Sequence, residues 1–203
     1  MEKMVRKATG FEIANHWALA ISCILLALQG YGFLFHIEAI GSLFGGFNAM
    51  RVVHNWLGVV FSFSLFLTMF AHLKESLTFD ADDREWLRVL GGYLSKKVKV
   101  PPVGKLNAGQ KLFYLALLVF GILISLSGFA IWLVADDNKP LLLLSHFVHN
   151  VCFVFLMAAV PTHMYLGSLA NPGTLQIMIT GMVPYWWAKK KHPKWVAELE
   201  SHK

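Results

Sequence analysis

The sequence predicts an all-α membrane protein. It reads as one domain over residues 1–203, a bundle of four transmembrane helices with a cytoplasmic tail helix at the membrane interface. Three observations predict this. The chain is 56% hydrophobic with a mean hydropathy of +0.54, too apolar for an ordinary soluble domain of 203 residues. Asp, Glu, Lys and Arg are absent from 13–35, 52–73, 112–135 and 140–188, and crossing the hydrocarbon takes about 20 apolar residues. The third observation is the placement of the 18 basic residues. Sixteen lie before span one, between spans two and three, or after span four, and only Arg51 and Lys139 flank the other two loops. The positive-inside rule reads that bias as both termini cytoplasmic. The net charge of +6 is thereby explained by topology, and no nucleic-acid surface is expected.

Residues 1–10 form a short basic arm, followed by span one over 13–35. That span is too long for the apolar core of a signal peptide, contains His16 and Gln29, and lacks a small-residue cleavage site, so it reads as a retained helix. An outer loop with Gly41, Gly45 and Gly46 leads to span two over 52–73. The cytoplasmic segment 74–111 carries an acidic run from Asp80 to Glu85, then basic residues and Pro101-Pro102. Span three covers 112–134. The tight loop Asp136-Asp137-Asn138-Lys139-Pro140 leads to span four over 141–169, and Asn171-Pro172-Gly173 stops it. In the tail, Trp186, Trp187 and Trp195 sit beside four lysines, the composition of a segment lying at the headgroups. Helices are the element expected for every span, because backbone groups in hydrocarbon must be satisfied within the segment. Cys23 and Cys152 fall inside spans and read as small buried residues rather than a disulfide or metal site.

Nine histidines carry the functional signal. An ionisable residue within a span is costly and marks function. His16 lies just inside span one at its cytoplasmic end, His54 just inside span two at its outer end, and His149 and His163 within span four. The last two are 14 residues apart. A helix returns to within about 40° of the same face over that spacing and rises about 21 Å. One helix thus offers an imidazole at each of two depths, which suits two b-type haems stacked across the membrane. Two axial imidazoles close the iron to other ligands and favour electron transfer over oxygen chemistry. By depth His54 is the mate of His149, while His16 and His72 both suit His163. His146 is rotated by about 100° from the His163 face and is rejected as a ligand. Gly58 and Gly167 each follow a candidate ligand by four residues, leaving room for a porphyrin or for close helix packing. His36, His192 and His202 read as loop or surface residues. A plainer alternative is a haem-free membrane anchor.

Several runs resemble the gamma subunit, cytochrome b556, of membrane-bound formate dehydrogenases. They are Asn15-His16-Trp17, Arg51-Val52-Val53-His54, Asn107-Ala108-Gly109-Gln110-Lys111, Ser127-Gly128-Phe129-Ala130-Ile131-Trp132, His163-Met164-Tyr165 and the tail Trp187-Ala188-Lys189-Lys190-Lys191-His192-Pro193-Lys194-Trp195. The match runs in order along nearly the whole chain. Its histidines and tryptophans also suit the wider cytochrome b family serving nickel-iron hydrogenases and other molybdopterin oxidoreductases. Where the gamma subunits carry paired histidines before the tail proline, this chain has Lys191-His192.

The resemblance implies that His54 and His149 ligate an outer haem b, and His16 and His163 an inner one. It resolves the choice between His16 and His72. It places a quinone pocket at Asn107, Gln110 and His163, with menaquinone or a similar quinone as acceptor. It implies an iron-sulfur beta subunit and a molybdenum- or tungsten-pterin alpha subunit as partners, in the cytoplasmic membrane. Two intramembrane cysteines cannot hold a four-cysteine cluster, so this chain is expected to relay electrons and not to oxidise formate itself.

Overall fold

The computed structural model describes residues 2–95, 97–134 and 138–201. Lys96, Asp136, Asp137, His202 and Lys203, which entered the charge count, the outer loop and the surface histidines above, lie outside them, as do Met1 and Ala135. The expected spans appear as four long apolar helices: α1 (Gly10–Leu34), α3 (Phe47–Leu77), α5 (Ala108–Leu133) and α6 (Lys139–Gly167). A short α2 (Glu38–Leu43) lies in the connection between α1 and α3.

Each long helix begins before its charge-free stretch, and in three of the four a side-chain cap starts it. Thr9 and Glu12 form a reciprocal capping box on α1, Asn107 and Gln110 one on α5, and the Asn138 side chain accepts from Leu141 N at 3.1 Å on α6. The absence of charge marks the lipid-facing part of a helix, whereas the caps mark where its hydrogen bonding begins.

The bundle is an arc. α1 packs along α3, α3 along α5 and α5 along α6, whereas α1 and α6 touch at few points. Leu19, Phe61, Leu65 and Met69 form the core between α1 and α3, with Leu117, Leu118 and Ile124 of α5 packed against them. Gly121 permits the close approach of α5, since a Cβ there would stand 2.5 Å from Leu65 Cδ2. Asn15 pins α1 to α3, its Nδ2 donating to Ser64 O at 3.0 Å and Thr68 Oγ1 at 2.9 Å.

The end of the bundle that carries both termini is more structured than an arm and one tail helix. Strand β1 (Met4–Arg6) pairs antiparallel with β2 (Met182–Pro184), Val5 opposite Val183. β2 follows the short helix α7 (Ile177–Thr180) and precedes α8 (Tyr185–Lys191) and α9 (Pro193–Ser201). The join needs Gly181: its φ is +73°, its carbonyl accepts from Lys7 N at 2.8 Å, and a Cβ would stand 2.4 Å from Ala8 O. The single interfacial helix expected for the tail is therefore two helices folded back on the N-terminal strand. Trp187 and Trp195 are buried in a small core with Ala8, Ile177, Val183, Ala188 and Val196, and Trp186 remains exposed. They bury against protein instead of headgroups because the arm supplies an apolar partner.

The segment between α3 and α5 closes the same end. Helix α4 (Ala81–Arg88) is capped by Asp80 and followed by a 3-10 turn (Leu90–Gly92). Lys111 Nζ lies 2.6 Å from Asp83 Oδ2 in a largely buried pair and donates to Thr78 O at 2.8 Å. Lys194 of α9 bridges Asp80 at 2.7 Å and Asp82 at 2.5 Å. The acidic run thus ties α4 to α5 and to the tail.

Candidate functional site

The four histidines singled out above meet in two pairs, both contributed in part by α6. His54, in the second turn of α3, faces His149, with ring centroids 6.3 Å apart and planes at 60°. His16, two turns into α1, faces His163, with centroids 6.2 Å apart and planes at 55°. The second pair spans the side of the bundle where α1 and α6 barely touch.

Both separations suit one iron between two imidazoles. With metal–nitrogen bonds of about 2 Å and about 1.1 Å from ring nitrogen to centroid, axial coordination sets centroids roughly 6 Å apart. Among the described residues no group of three or more His, Cys, Asp or Glu gathers for a metal. Each pair offers two imidazoles, the number that an axial set would take. Gly58 and Gly167 border open space, with no neighbouring atom within 4 Å of a Cβ placed on either.

The outer pair is held by hydrogen bonds. His54 Nδ1 lies 3.2 Å from Gln29 Oε1, and Phe33 stands edge-on to its ring at 5.5 Å. His149 Nδ1 lies 3.1 Å from both Ile124 O and Ser127 Oγ. Gly128 lets this ring in, since a Cβ there would stand 3.2 Å from His149 Cε1. In each ring the Nδ1 is thereby engaged and Nε2 is left for a ligand. The inner pair is held by packing. Phe113 stacks on His163 at 4.6 Å with planes at 9°, and Trp17 stands edge-on to His16 at 5.8 Å. Asn15, by anchoring α1 to α3, sets the rotation that carries His16 toward α6.

His146 is exposed and joins neither pair. His72 instead rests on Tyr114, ring to ring at 4.9 Å, and its Nε2 lies 4.0 Å from Glu12 Oε1. His192, expected at the surface, is 5% exposed between Trp187 and Trp195. Its Nδ1 donates to Gly104 O at 2.7 Å, so its Nε2 accepts from Lys7 Nζ at 2.5 Å. Burial, with the Lys7 and Lys191 charges adding to it, pushes its pKa down to about 4. Burial likewise pulls Lys7 down to about 7, helped by Lys105.

Asn107 and Gln110 stand at the start of α5, three residues before Phe113 in the case of Gln110. Their side-chain oxygens are committed to the capping box: Asn107 Oδ1 accepts from Gln110 N at 2.8 Å and Gln110 Oε1 from Asn107 N at 2.9 Å. Among the described residues neither side-chain NH2 has a partner, so both remain able to donate.

Gln29, Ser127 and Phe113 were not singled out for a role at the site from sequence. Only Gln29 left a readable sign, as an amide in a charge-free span; a span serine or phenylalanine is unremarkable.

The chain matches the family described as prokaryotic cytochrome b561 over residues 7–181. It is 31% identical over 195 residues to the formate dehydrogenase cytochrome b556(fdo) subunit of Escherichia coli K12, covering 94% of this chain and 91% of that one. The nitrate-inducible cytochrome b556(Fdn) subunit of the same strain is 29% identical over 203 residues, covering 98% and 93%. The formate dehydrogenase cytochrome b556 subunit of Haemophilus influenzae is 23% identical over 201 residues, covering 97% and 83%.

Proposed function

This chain belongs to the prokaryotic cytochrome b561 family of membrane proteins carrying haem b, and we propose that it is the electron-transferring membrane subunit of a formate dehydrogenase complex. One observation carries the reading: two histidine pairs at two depths, 6.3 Å and 6.2 Å between ring centroids, share one helix. His54 and His149 would hold an outer haem b, and His16 and His163 an inner one, through their imidazoles. Haem b supplies one-electron exchange at iron without forming or breaking bonds to substrate.

The chain's own residues do the remaining work. They hold the rings, exclude water from the bundle and present the acceptor site. Quinone binds near the inner pair, where Asn107 Nδ2 and Gln110 Nε2 donate to its carbonyls one turn before Phe113, the ring stacked on His163. Reduction to quinol consumes two electrons and two protons, and the cytoplasmic position of the pocket draws those protons from the cytoplasm. Menaquinone is the expected quinone class. The partners are an iron-sulfur subunit at the outer face and a molybdenum- or tungsten-pterin subunit that oxidises formate. The setting is the cytoplasmic membrane with both termini inside, supported by the placement of sixteen of the 18 basic residues.

The test is pyridine haemochrome stoichiometry with EPR on the purified complex. Two low-spin haems per chain support the reading. A ratio near one, or a high-spin iron with an open position, overturns it.

A further inference from the structure

A histidine that binds iron through Nε2 as a neutral imidazole carries its proton on Nδ1. Whatever accepts that proton orients the ring and raises its basicity. At His54 the acceptor is the Gln29 side chain, 3.2 Å away. The chemistry assigns the orientation of that amide: a protonated Nδ1 faces oxygen, not NH2. Gln29 is fully buried, and its Nε2 has no partner. Leucine or methionine would fill the same volume without an orphaned amide, so packing does not explain a glutamine here.

The two ends of the bundle differ. His149 Nδ1 also meets acceptors, Ile124 O and Ser127 Oγ. Among the described residues His16 and His163 have no side-chain or backbone acceptor and are held by aromatic packing. Electron density pushed onto an axial imidazole stabilises ferric over ferrous iron and lowers the potential.

We propose that Gln29 is a positioning residue that orients His54 and depresses the reduction potential of the outer haem below that of the inner one. The consequence is a downhill step from the outer face to the quinone side, set by one neutral amide in the membrane. The proposal rests on the axial-ligand reading above.

The experiment is potentiometric titration, followed optically and by EPR, of the complex carrying Gln29→Leu or Gln29→Glu. The outer haem is identified as the signal lost in His54→Ala. Gln29→Leu is expected to shift the outer haem's reduction equilibrium about tenfold toward ferrous iron, about 59 mV for a one-electron couple. Gln29→Glu, a stronger acceptor, is expected to shift it the other way, and the inner haem is expected to stay in place in both. An unchanged outer potential in Gln29→Leu with both haems retained overturns the proposal, as does an equal shift of both haems. Where Gln29→Leu loses its outer haem, Gln29→Glu decides: a potential below wild type supports the role, and one at or above it overturns it. If the unaltered complex lacks two bis-imidazole haems, the site reading fails first; two such haems with an unmoved potential sink only the role of Gln29.

Discussion

His163 lies face to face with Phe113, ring centroids 4.6 Å apart and planes at 9°, so the α6 imidazole of the inner pair is clamped by the helix that also begins with Asn107 and Gln110. His163 and the amides at the start of α5 are therefore linked through one turn of α5. A change at the start of α5 is expected to have two separable effects, one on quinone and one on the helix end.

Asn107→Ala and Gln110→Ala are expected to cut quinone reduction sharply in the assembled complex while haem content and haem reduction by the donor subunits stay normal. Asn107→Ala also removes an N-cap, at a cost of about 1 kcal/mol to the start of α5. Asn107→Ser, which restores the cap without the amide donor, separates the two effects. Full quinone reductase activity in both alanine variants, with unchanged sensitivity to quinone-analogue inhibitors, places the pocket elsewhere.

Changing His16 or His163 to alanine is expected to remove one haem signal and leave the other, and the same two changes are expected to remove the same signal. His72→Ala is expected to leave both, because His72 packs on Tyr114 and Glu12. Loss of a haem in His72→Ala would show that the inner ligand set is misassigned.

On α6 the ring engaged by Ser127 and Ile124 is His149, and His146 is exposed. Optical spectra are expected to show the outer haem missing from His149→Ala and both haems intact in His146→Ala. A spectrum that fails only in the His146 variant reverses the assignment.

Topology is checked by reporter fusions. Alkaline phosphatase is expected to be active when fused at Asn138 and silent at the C-terminus. The opposite pattern puts the Asn107 end of the bundle on the wrong face for cytoplasmic protons.

The strand-paired cap is expected to loosen in acid. In the closed cap His192 protonates only near 4, against 6.5 in the open chain, so between those values the open form binds more protons and falling pH favours opening. Lys7 acts in the same direction in its own window, from 10.5 in the open chain down to about 7 in the cap. The stability that His192 lends is complete above its ordinary value and is lost as pH falls toward 4. Hydrogen exchange at residues 4–8 and 181–184, corrected for the intrinsic rate, is expected to quicken about tenfold between pH 7 and pH 5. His192→Phe is expected to flatten that dependence, and an equally steep profile in the variant removes His192 from the account.

The sequence by itself determined the four spans, their likeness to a cytochrome family and the α6 histidine pair, because lipid enforces long charge-free helices and a 14-residue spacing sets one helical face. Those are properties of one chain segment at a time. The tertiary structure decided what lies across from each segment. His163 meets His16 and not His72 because Asn15 sets how α1 is turned against α3. His192 is buried because Gly181 lets the N-terminal strand reach the tail, a contact between residues more than 170 positions apart that no local pattern encodes. Gln29 could be seen as a polar residue in a span, but its partner is an imidazole on another helix, chosen by helix depth and rotation together.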